Sequence, residues 1–220
     1  MRILSAEETR LALPMSDAIE AMRSAFGPDV EIPLRQQIGN SLVMPGRVGS
    51  SVGVKIVSTI PGSPNGIVVV FDEDGAPVGV VDGPTITAIR TGAIAGLATD
   101  LLAPRNASSF AMIGAGAMAR DQIAAVLAVR DVDTITVWSR NRDKACTLAT
   151  EVGGTCADTP AEAIRDAAIV TTATPASGPL FVPTALAAHV HVNAIGAFTP
   201  DMVEVPAEFV REAFVVVDDI

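Results

Sequence analysis

The chain has 220 residues, of which 49% are hydrophobic, and it carries a formal net charge of −10 at pH 7. This length allows one large or two modest domains with a real core. The negative charge disfavours nucleic acid and anionic membranes as partners. No apolar run is long enough to span a bilayer, and the early acids Glu7 and Glu8 disfavour a signal peptide.

The cysteines and histidines give no metal-binding pattern. Cys146 and Cys156 have neither metal-site nor redox-motif spacing, so a reducing cytoplasm is the expected compartment. His189 and His191 alternate with valines, and we expect packing or surface roles for both, because no other ligand type is spaced to join them. The sequence therefore predicts no metal site.

The first part of the chain is typical of two short helices followed by a sheet. Ser5 and Glu8 have the spacing of a capping box, and 16–26 carries apolar residues at helical intervals. Residues 30–83 are then typical of strands. An antiparallel sheet is predicted from alternating apolar runs joined by a hairpin loop at 72–76, and these runs are 52–57, 67–71 and 77–81.

A long helix is predicted after this sheet. Asp82–Thr85 offers a helix cap with proline early in the helix, and Pro104 stops the helix after about residue 102. One face of the helix is marked by apolar residues, namely Ile86, Ile89, Ala93, Leu97 and Leu101.

From residue 108 onward, strands and helices alternate. Strands are predicted at 109–113, 134–138, 168–172, 191–195 and 214–217. Helices are predicted at 121–129, 143–152, after Pro183 and at 206–211. This alternation indicates an α/β fold with a Rossmann doubly wound, mostly parallel sheet. We therefore expect an α+β domain with an antiparallel sheet at residues 1–105 and a dinucleotide-binding Rossmann domain at residues 106–220.

A glycine turn joins the first strand of that second domain to its helix. Gly114 would make the tight turn, Gly116 would let backbone amides approach a pyrophosphate, and Ala119 would allow close packing of helix on strand. Ala117 and Met118 complete the phosphate-facing part of the turn. An ordinary strand-to-helix connection can give the same pattern, so the turn alone does not establish dinucleotide binding.

The end of the next strand bears on the choice of nucleotide. In Rossmann domains this position meets the adenosine ribose, where an acid binds the free 2′-hydroxyl and an arginine suits a 2′-phosphate. Ser139, Arg140 and Arg142 lie here, and no acid occupies the strand tip. NADP(H) is therefore favoured, while NAD(H) stays possible because a surface arginine pair can also be plain solvation.

Six short motifs follow one another along most of the chain. They are 53–55 (GVK), 82–93 (DGPTITAIRTGA), 113–116 (IGAG), 137–140 (VWSR), 171–175 (TTATP) and 193–197 (NAIGA). In this order they resemble the ornithine cyclodeaminase/mu-crystallin family. The resemblance implies an N-terminal substrate and dimerisation domain, hence a homodimer, followed by a Rossmann domain. It also implies a C-terminal segment returning to the first domain, which we expect to be missing, either in a shortened member or in a truncated record.

The same resemblance implies roles for individual residues. Arg35, Lys55 and Arg90 would bind the substrate carboxylate, with Lys55 and Arg90 at the catalytic centre, and Thr174 and Gly196 would hold the nicotinamide half of the cofactor. Cations suit this task because arginine offers a bidentate fork and lysine a point charge to a 2-imino or 2-amino acid. Each residue taken singly can also be an ordinary solvated cation.

One departure from the family pattern separates its activities. Cyclodeaminases carry an acid in the turn after the Asn193–Gly196 motif, whereas this chain has Phe198, whose apolar ring cannot shuttle a proton. Asp201 lies three residues further on and is expected to point elsewhere. The resemblance thus favours an NADPH-dependent reductase of 2-imino acids such as 1-pyrroline-2-carboxylate or 1-piperideine-2-carboxylate. The alternatives are an NAD-dependent ornithine cyclodeaminase and a non-catalytic binder of cofactor or ligand.

Overall fold

A computed structural model of the protein describes residues 1–60 and 65–218. The chain forms two compact units, Met1–Leu97 and Ala98–Ile220. The first unit contains β1 (Arg2–Leu4), α1 (Ala6–Ala12), α2 (Met15–Ala25), β2 (Val30–Glu31), β3 (Gln36–Ile38), β4 (Ser41–Val48), β5 (Ser51–Ser58), β6 (Gly66–Phe71), β7 (Pro77–Asp82) and most of α3 (Gly83–Leu102).

The first unit is built on a mixed sheet with the strand order β1-β7-β6-β5-β4-β2, and β3 also pairs with β4. The predicted antiparallel ladder is confirmed, since β4, β5, β6 and β7 pair antiparallel in sequence. The three-residue strand β1 was not predicted, and it adds to β7 in parallel. β5 therefore lies inside the sheet with both of its edges hydrogen-bonded.

The helices of this unit begin where the sequence predicts. The Ser5 side chain accepts from the Glu8 amide and the Glu8 carboxylate accepts from the Ser5 amide, so the capping box is confirmed. Asp82 Oδ1 accepts from the Thr85 amide at 2.8 Å and caps α3. The prediction that Leu101 lies on the apolar face of α3 is wrong, because its side chain is 63% exposed. At 100° per residue, Leu101 lies roughly 60° around the helix from Ile86, which carries it off the buried stripe.

The second unit is the predicted doubly wound domain. It contains β8 (Ser109–Ile113), α4 (Ala119–Leu127), β9 (Thr134–Trp138), α5 (Arg142–Glu151), β10 (Thr155–Cys156), α6 (Pro160–Ile164), β11 (Ile169–Thr172), a 3₁₀ turn (Pro183–Ala185), β12 (His191–Ala194) and α7 (Ala207–Glu212). Its strands are all parallel in the order β10-β9-β8-β11-β12. This confirms the Rossmann sheet.

The central strand of this sheet is buried on both faces. Phe110 and Met112 pack into the cluster formed with α4 and α5, while Ala111 and Ile113 pack on the opposite side with α6. Side chains alternate between the two faces of a strand, so a strand covered on both sides needs a continuous apolar run. This explains why 109–113 shows no polar alternation.

Two predictions for the second unit need correction. Residues 214–217 form no strand: all four side chains are exposed, and no neighbouring strand pairs with them in the described part of the chain. An apolar β-branched run needs a partner backbone to become a strand. The short elements β10 and α6 were missed, since they are too brief to show a periodic pattern.

A disulfide joins Cys146 in α5 to Cys156 in β10, with their Cα atoms 4.9 Å apart. The sequence did not predict it, because the ten-residue separation matches no known motif. Disulfides are rare in a reducing cytoplasm, so this pairing disagrees with the expectation of a reducing compartment.

Across residues 1–60 and 65–218, no helix combines the length and apolar character needed to cross a bilayer.

Candidate active site

Lys55 lies in β5 and is held by the helix that follows the sheet. Its Nζ donates to Thr87 Oγ1 at 2.8 Å, and the Thr87 hydroxyl donates in turn to the Gly83 carbonyl at 2.7 Å. Both Lys55 and Thr87 are partly buried. The hydroxyl is thus fixed as an acceptor for the ammonium, which defines the direction of the lysine side chain.

The Lys55 ammonium stands in an environment that disfavours its charge. Burial lowers its pKa below the usual 10.5, and the positive charge of Arg90 lowers it further. Arg90 follows Thr87 by three residues in α3, so the two residues lie on the same side of the helix. An anion bound beside the two cations would offset both effects, which makes this pair a candidate carboxylate site.

Arg35 is placed differently from the other two predicted substrate ligands. It lies in the connection between β2 and β3, and its side chain is exposed. The hydrogen bonds among the described residues do not link it to Lys55. Lys55 and Arg90 therefore form the pair that the fold of the first unit brings together.

The glycine turn lies at the carboxyl end of β8, the central strand of the parallel sheet. The chain runs from β8 to β9 and β10 on one side, and β11 and β12 lie on the other. Between β8 and β11 is the switch point outside which ligands bind in open α/β sheets. Gly114 has φ +117°, and a Cβ there would lie 2.6 Å from the Ala173 carbonyl oxygen. Glycine is therefore required at this position by both conformation and packing.

The rest of the turn is open to a ligand. A Cβ on Gly116 would meet no protein atom within 4 Å, and Gly116 and Ala117 are exposed. Met118 is partly buried and Ala119 is buried at the start of α4. The space in front of Gly116 is thus not needed for packing of the protein itself. A pyrophosphate at the helix N-terminus fits these residues.

The two predicted ribose-binding arginines differ in their partners. Arg140 is exposed, and within residues 1–60 and 65–218 its side chain makes no hydrogen bond or ion pair. Arg142 Nε lies 2.8 Å from Asp158 Oδ1, and this hydrogen bond raises the pKa of Arg142. Ser139 is partly buried at the end of β9. Arg140 can take a 2′-phosphate directly, whereas Arg142 would have to leave Asp158.

A buried acid that the sequence analysis missed connects the two predicted nicotinamide-binding residues. Glu204 is 1% exposed, and its Oε1 accepts from the Thr174 amide at 2.7 Å and the Thr174 hydroxyl at 2.8 Å. Its Oε2 accepts from the Gly196 amide at 2.6 Å. The signal in the sequence was a lone acid between Val203 and Val205, since burial of a carboxylate requires several donors.

The remaining predicted positions make no close site. Phe198 is 81% exposed in the turn after β12, and Asp201 is exposed as well. His189 is exposed and His191 is partly buried beside Asn193 Oδ1, with burial lowering the pKa of His191. In the described ranges, no group of three or more His, Cys, Asp or Glu side chains is arranged to hold a metal ion.

These features are those of an α/β protein with a Rossmann sheet and glycine turn in its second unit, and with Lys55 and Arg90 as a candidate anion site in its first unit. The family model for the Ornithine cyclodeaminase/mu-crystallin family matches residues 7–220, and the chain belongs to this family.

Three proteins of known name are similar to this chain. The chain is 34% identical to the Delta(1)-pyrroline-2-carboxylate reductase of Bacillus cereus over 97% of its length and 73% of that protein. The Thermococcus litoralis Delta(1)-pyrroline-2-carboxylate reductase, solved in complex with NADH and L-proline, is 29% identical with a TM-score of 0.86, over 97% of this chain and 74% of that one. An archaeal alanine dehydrogenase dimer with bound NAD is 26% identical with a TM-score of 0.87, over 99% and 74%.

Proposed function

We propose that this protein is an NAD(P)H-dependent reductase of 2-imino acids, such as 1-pyrroline-2-carboxylate or 1-piperideine-2-carboxylate. The observation that carries the proposal is the partly buried Lys55, poised by Thr87 next to Arg90, in a chain that also has the Rossmann glycine turn. The names of the Bacillus and Thermococcus relatives support the same reaction class.

The first unit supplies the cations for the substrate. Arg90 would bind the carboxylate through its planar fork and Lys55 through its ammonium, while the exposed Arg35 would add a third cation. The second unit would hold the cofactor, with Gly114 and Gly116 at the pyrophosphate. When bound, the reduced nicotinamide supplies the hydride that the C=N carbon accepts, and the imine nitrogen gains a proton.

Lys55 is suited to supply that proton. Its pKa is lowered from 10.5 and so lies closer to neutral pH than that of a free lysine. A general acid is most effective when its pKa lies near the pH at which the enzyme works. The Thr87 hydroxyl orients the ammonium without removing its charge. A cyclodeaminase would need an additional acid after β12, and the exposed Phe198 in that turn disfavours this alternative.

The reaction is tested by mixing purified protein with each imino acid and with NADPH or NADH. We expect loss of the reduced-nicotinamide absorbance together with formation of the cyclic amino acid. Ornithine serves as the control substrate, because ammonia release from ornithine without net nicotinamide reduction would identify a cyclodeaminase. Bound cofactor with no turnover of any imino acid would contradict the reductase and favour the non-catalytic binder.

For the cofactor we propose a preference for NADP(H), supported by the exposed guanidinium of Arg140 at the end of β9, which has no hydrogen-bond or ion-pair partner among the described residues. Arg140→Ala should weaken NADPH by about tenfold to a hundredfold, the range for a hydrogen bond to a charged group, and should change NADH little. Fluorescence titration of both nucleotides measures this. Arg142→Ala is the matched control, with a smaller expected effect because Asp158 already holds that side chain. Equal weakening of both nucleotides by Arg140→Ala would refute the 2′-phosphate contact.

We further propose a cytoplasmic homodimer whose functional division falls between residues 105 and 106, after the end of α3. The archaeal alanine dehydrogenase, which is named as a dimer, supports the homodimer. The proposed use of reduced nicotinamide favours the cytoplasm, whereas the Cys146–Cys156 disulfide disfavours it. Light scattering measures the first, and a monomeric mass would contradict it. A thiol-labelling assay on protein from intact cells tests the second, because reduced cysteines are expected there.

A further inference from the structure

At 1% exposure, Glu204 carries the most deeply buried carboxylate among residues 1–60 and 65–218. It receives two amide N–H groups and one hydroxyl, and it forms no ion pair within the described part of the chain. Burying a carboxylate without a cation is costly unless several donors replace its water. Three donors from two separate loops do so here.

The loops concerned follow neighbouring strands of the parallel sheet. Thr174 lies just after β11 and Gly196 just after β12, so both are at the carboxyl edge where the glycine turn also lies. The Ala173 carbonyl oxygen is the atom that a side chain at Gly114 would strike. Contact is therefore continuous from the glycine turn, through the loop after β11, to Glu204.

The two loops leave no space between them. A Cβ on Gly196 would collide with the Thr174 amide and carbonyl and would come within 2.7 Å of Glu204 Oε1. The segment carrying Glu204 is itself held, since the Val203 amide donates to the Ala176 carbonyl at 2.7 Å and the Leu180 amide to the Glu204 carbonyl at 2.9 Å. Its backbone is thus anchored, and its side chain fixes the relative position of both loops.

We infer that Glu204 is the positioning residue for the nicotinamide half of the cofactor site, acting through Thr174 and Gly196. This inference rests on the proposed reductase function. Because Glu204 is 1% exposed, it acts on the cofactor through the loops it holds. A carboxylate is required because all three partners are donors, and a glutamine amide would turn an N–H group toward one of them.

The test compares two probes in the full-length chain. NADPH carries the nicotinamide, whereas 2′-phospho-ADP-ribose keeps the adenosine and pyrophosphate and lacks it. Glu204→Gln should weaken NADPH by about tenfold or more, in keeping with the loss of a hydrogen bond to a charged group, and should leave 2′-phospho-ADP-ribose within about twofold. Calorimetric titration gives both dissociation constants without any turnover.

The control is Leu148→Ala, which removes a buried side chain from α5 in the core of the same unit. It lowers the melting temperature without touching the Glu204 contacts, and both probes should then change by the same factor. Equal weakening of both probes by Glu204→Gln, or unchanged NADPH binding, would overturn the inference. If Glu204→Gln does not fold, Thr174→Val removes one of the three bonds and should shift NADPH in the same direction by a smaller factor.

The outcome is separable from that of the proposed reaction. Selective loss of NADPH in Glu204→Gln supports the positioning role even if neither imino acid is reduced. A wild-type protein that binds neither NADPH nor NADH refutes the cofactor site, and the positioning role with it.

Discussion

Lys55→Met is expected to lower kcat/KM for the imino acid by about a thousandfold or more. Loss of a charged hydrogen bond to the substrate costs about tenfold to a hundredfold, and loss of a general acid costs about a hundredfold to ten-thousandfold. The reduced nucleotide should bind as in the wild type, because Lys55 is proposed to bind the substrate, whereas the glycine turn is proposed to bind the nucleotide. Steady-state kinetics and a nucleotide titration measure the two effects.

The pH profile separates the proton-donor role of Lys55 from simple carboxylate binding. Burial and Arg90 lower the pKa of Lys55, so the wild-type kcat/KM should fall on the alkaline side with a pKa below 10.5 as the ammonium loses its proton. Lys55→Met should lack this alkaline limb. Thr87→Val keeps the cation and removes its hydrogen bond, so we expect a smaller loss with the limb retained. A Lys55→Met enzyme with wild-type kinetics would eliminate Lys55 from the mechanism.

The same lowered pKa has a consequence for folding. The folded state holds the Lys55 proton less tightly than the unfolded chain. The free-energy cost of burying the ammonium is therefore fully present below the pKa that Lys55 has in the folded state. This cost is relieved as pH rises from that value toward 10.5. Lys55→Met removes the buried charge, and its free energy of unfolding at neutral pH should be equal to or greater than that of the wild type. Denaturant unfolding measures this free energy, and an unchanged or higher value would show that the loss of activity does not come from a loss of stability.

Gly116→Ala is expected to weaken dinucleotide binding by about a hundredfold while leaving the melting temperature unchanged. Its added Cβ meets no protein atom within 4 Å, so the folded chain tolerates it. The same methyl group would occupy the space through which the backbone approaches a pyrophosphate, and loss of one or two charge-assisted hydrogen bonds at about 1.5–3 kcal/mol each accounts for the size of the effect. Titration with ADP-ribose and a thermal melt give both quantities.

Gly114→Ala is the matched control two residues earlier. Gly114 has φ +117°, and its Cβ would lie 2.6 Å from the Ala173 carbonyl, so we expect a loss of stability of about 2–4 kcal/mol from strain and collision. The pair therefore separates a glycine needed by the fold from one needed by the ligand. A Gly116→Ala protein that binds ADP-ribose normally would show that the pyrophosphate does not lie at this turn.

Local chemistry alone was enough to predict much of the fold. The Ser5–Glu8 capping box is complete within one helical turn, so its residues determine the helix start without help from elsewhere. The apolar run 109–113 and the glycine turn after it predicted a strand, a turn and a helix, and the structure has all three. Lys55 and Arg140 were likewise recognisable in the sequence, from their residue types and their places in the order of motifs.

The errors occurred where a residue's state depends on a distant partner. Residues 214–217 have strand composition, but no strand pairs with them in the described part of the chain. Cys146 and Cys156 pair because α5 packs beside β10, a proximity that their spacing does not indicate. Pairing, burial and covalent linkage between separate elements are not encoded in a local window.

The sequence by itself determined most of the element types, the mostly parallel character of the second sheet and the chemical identity of the candidate ligands, because these follow from periodicity, caps and short motifs. Only the tertiary structure decided which partners surround those ligands and how their pKa values shift. It brought Arg90 and Thr87 to Lys55, paired Arg142 with Asp158, and closed two loops on Glu204. The physical reason is that electrostatic and hydrogen-bond energies depend on distances between side chains, and only the folded chain sets those distances.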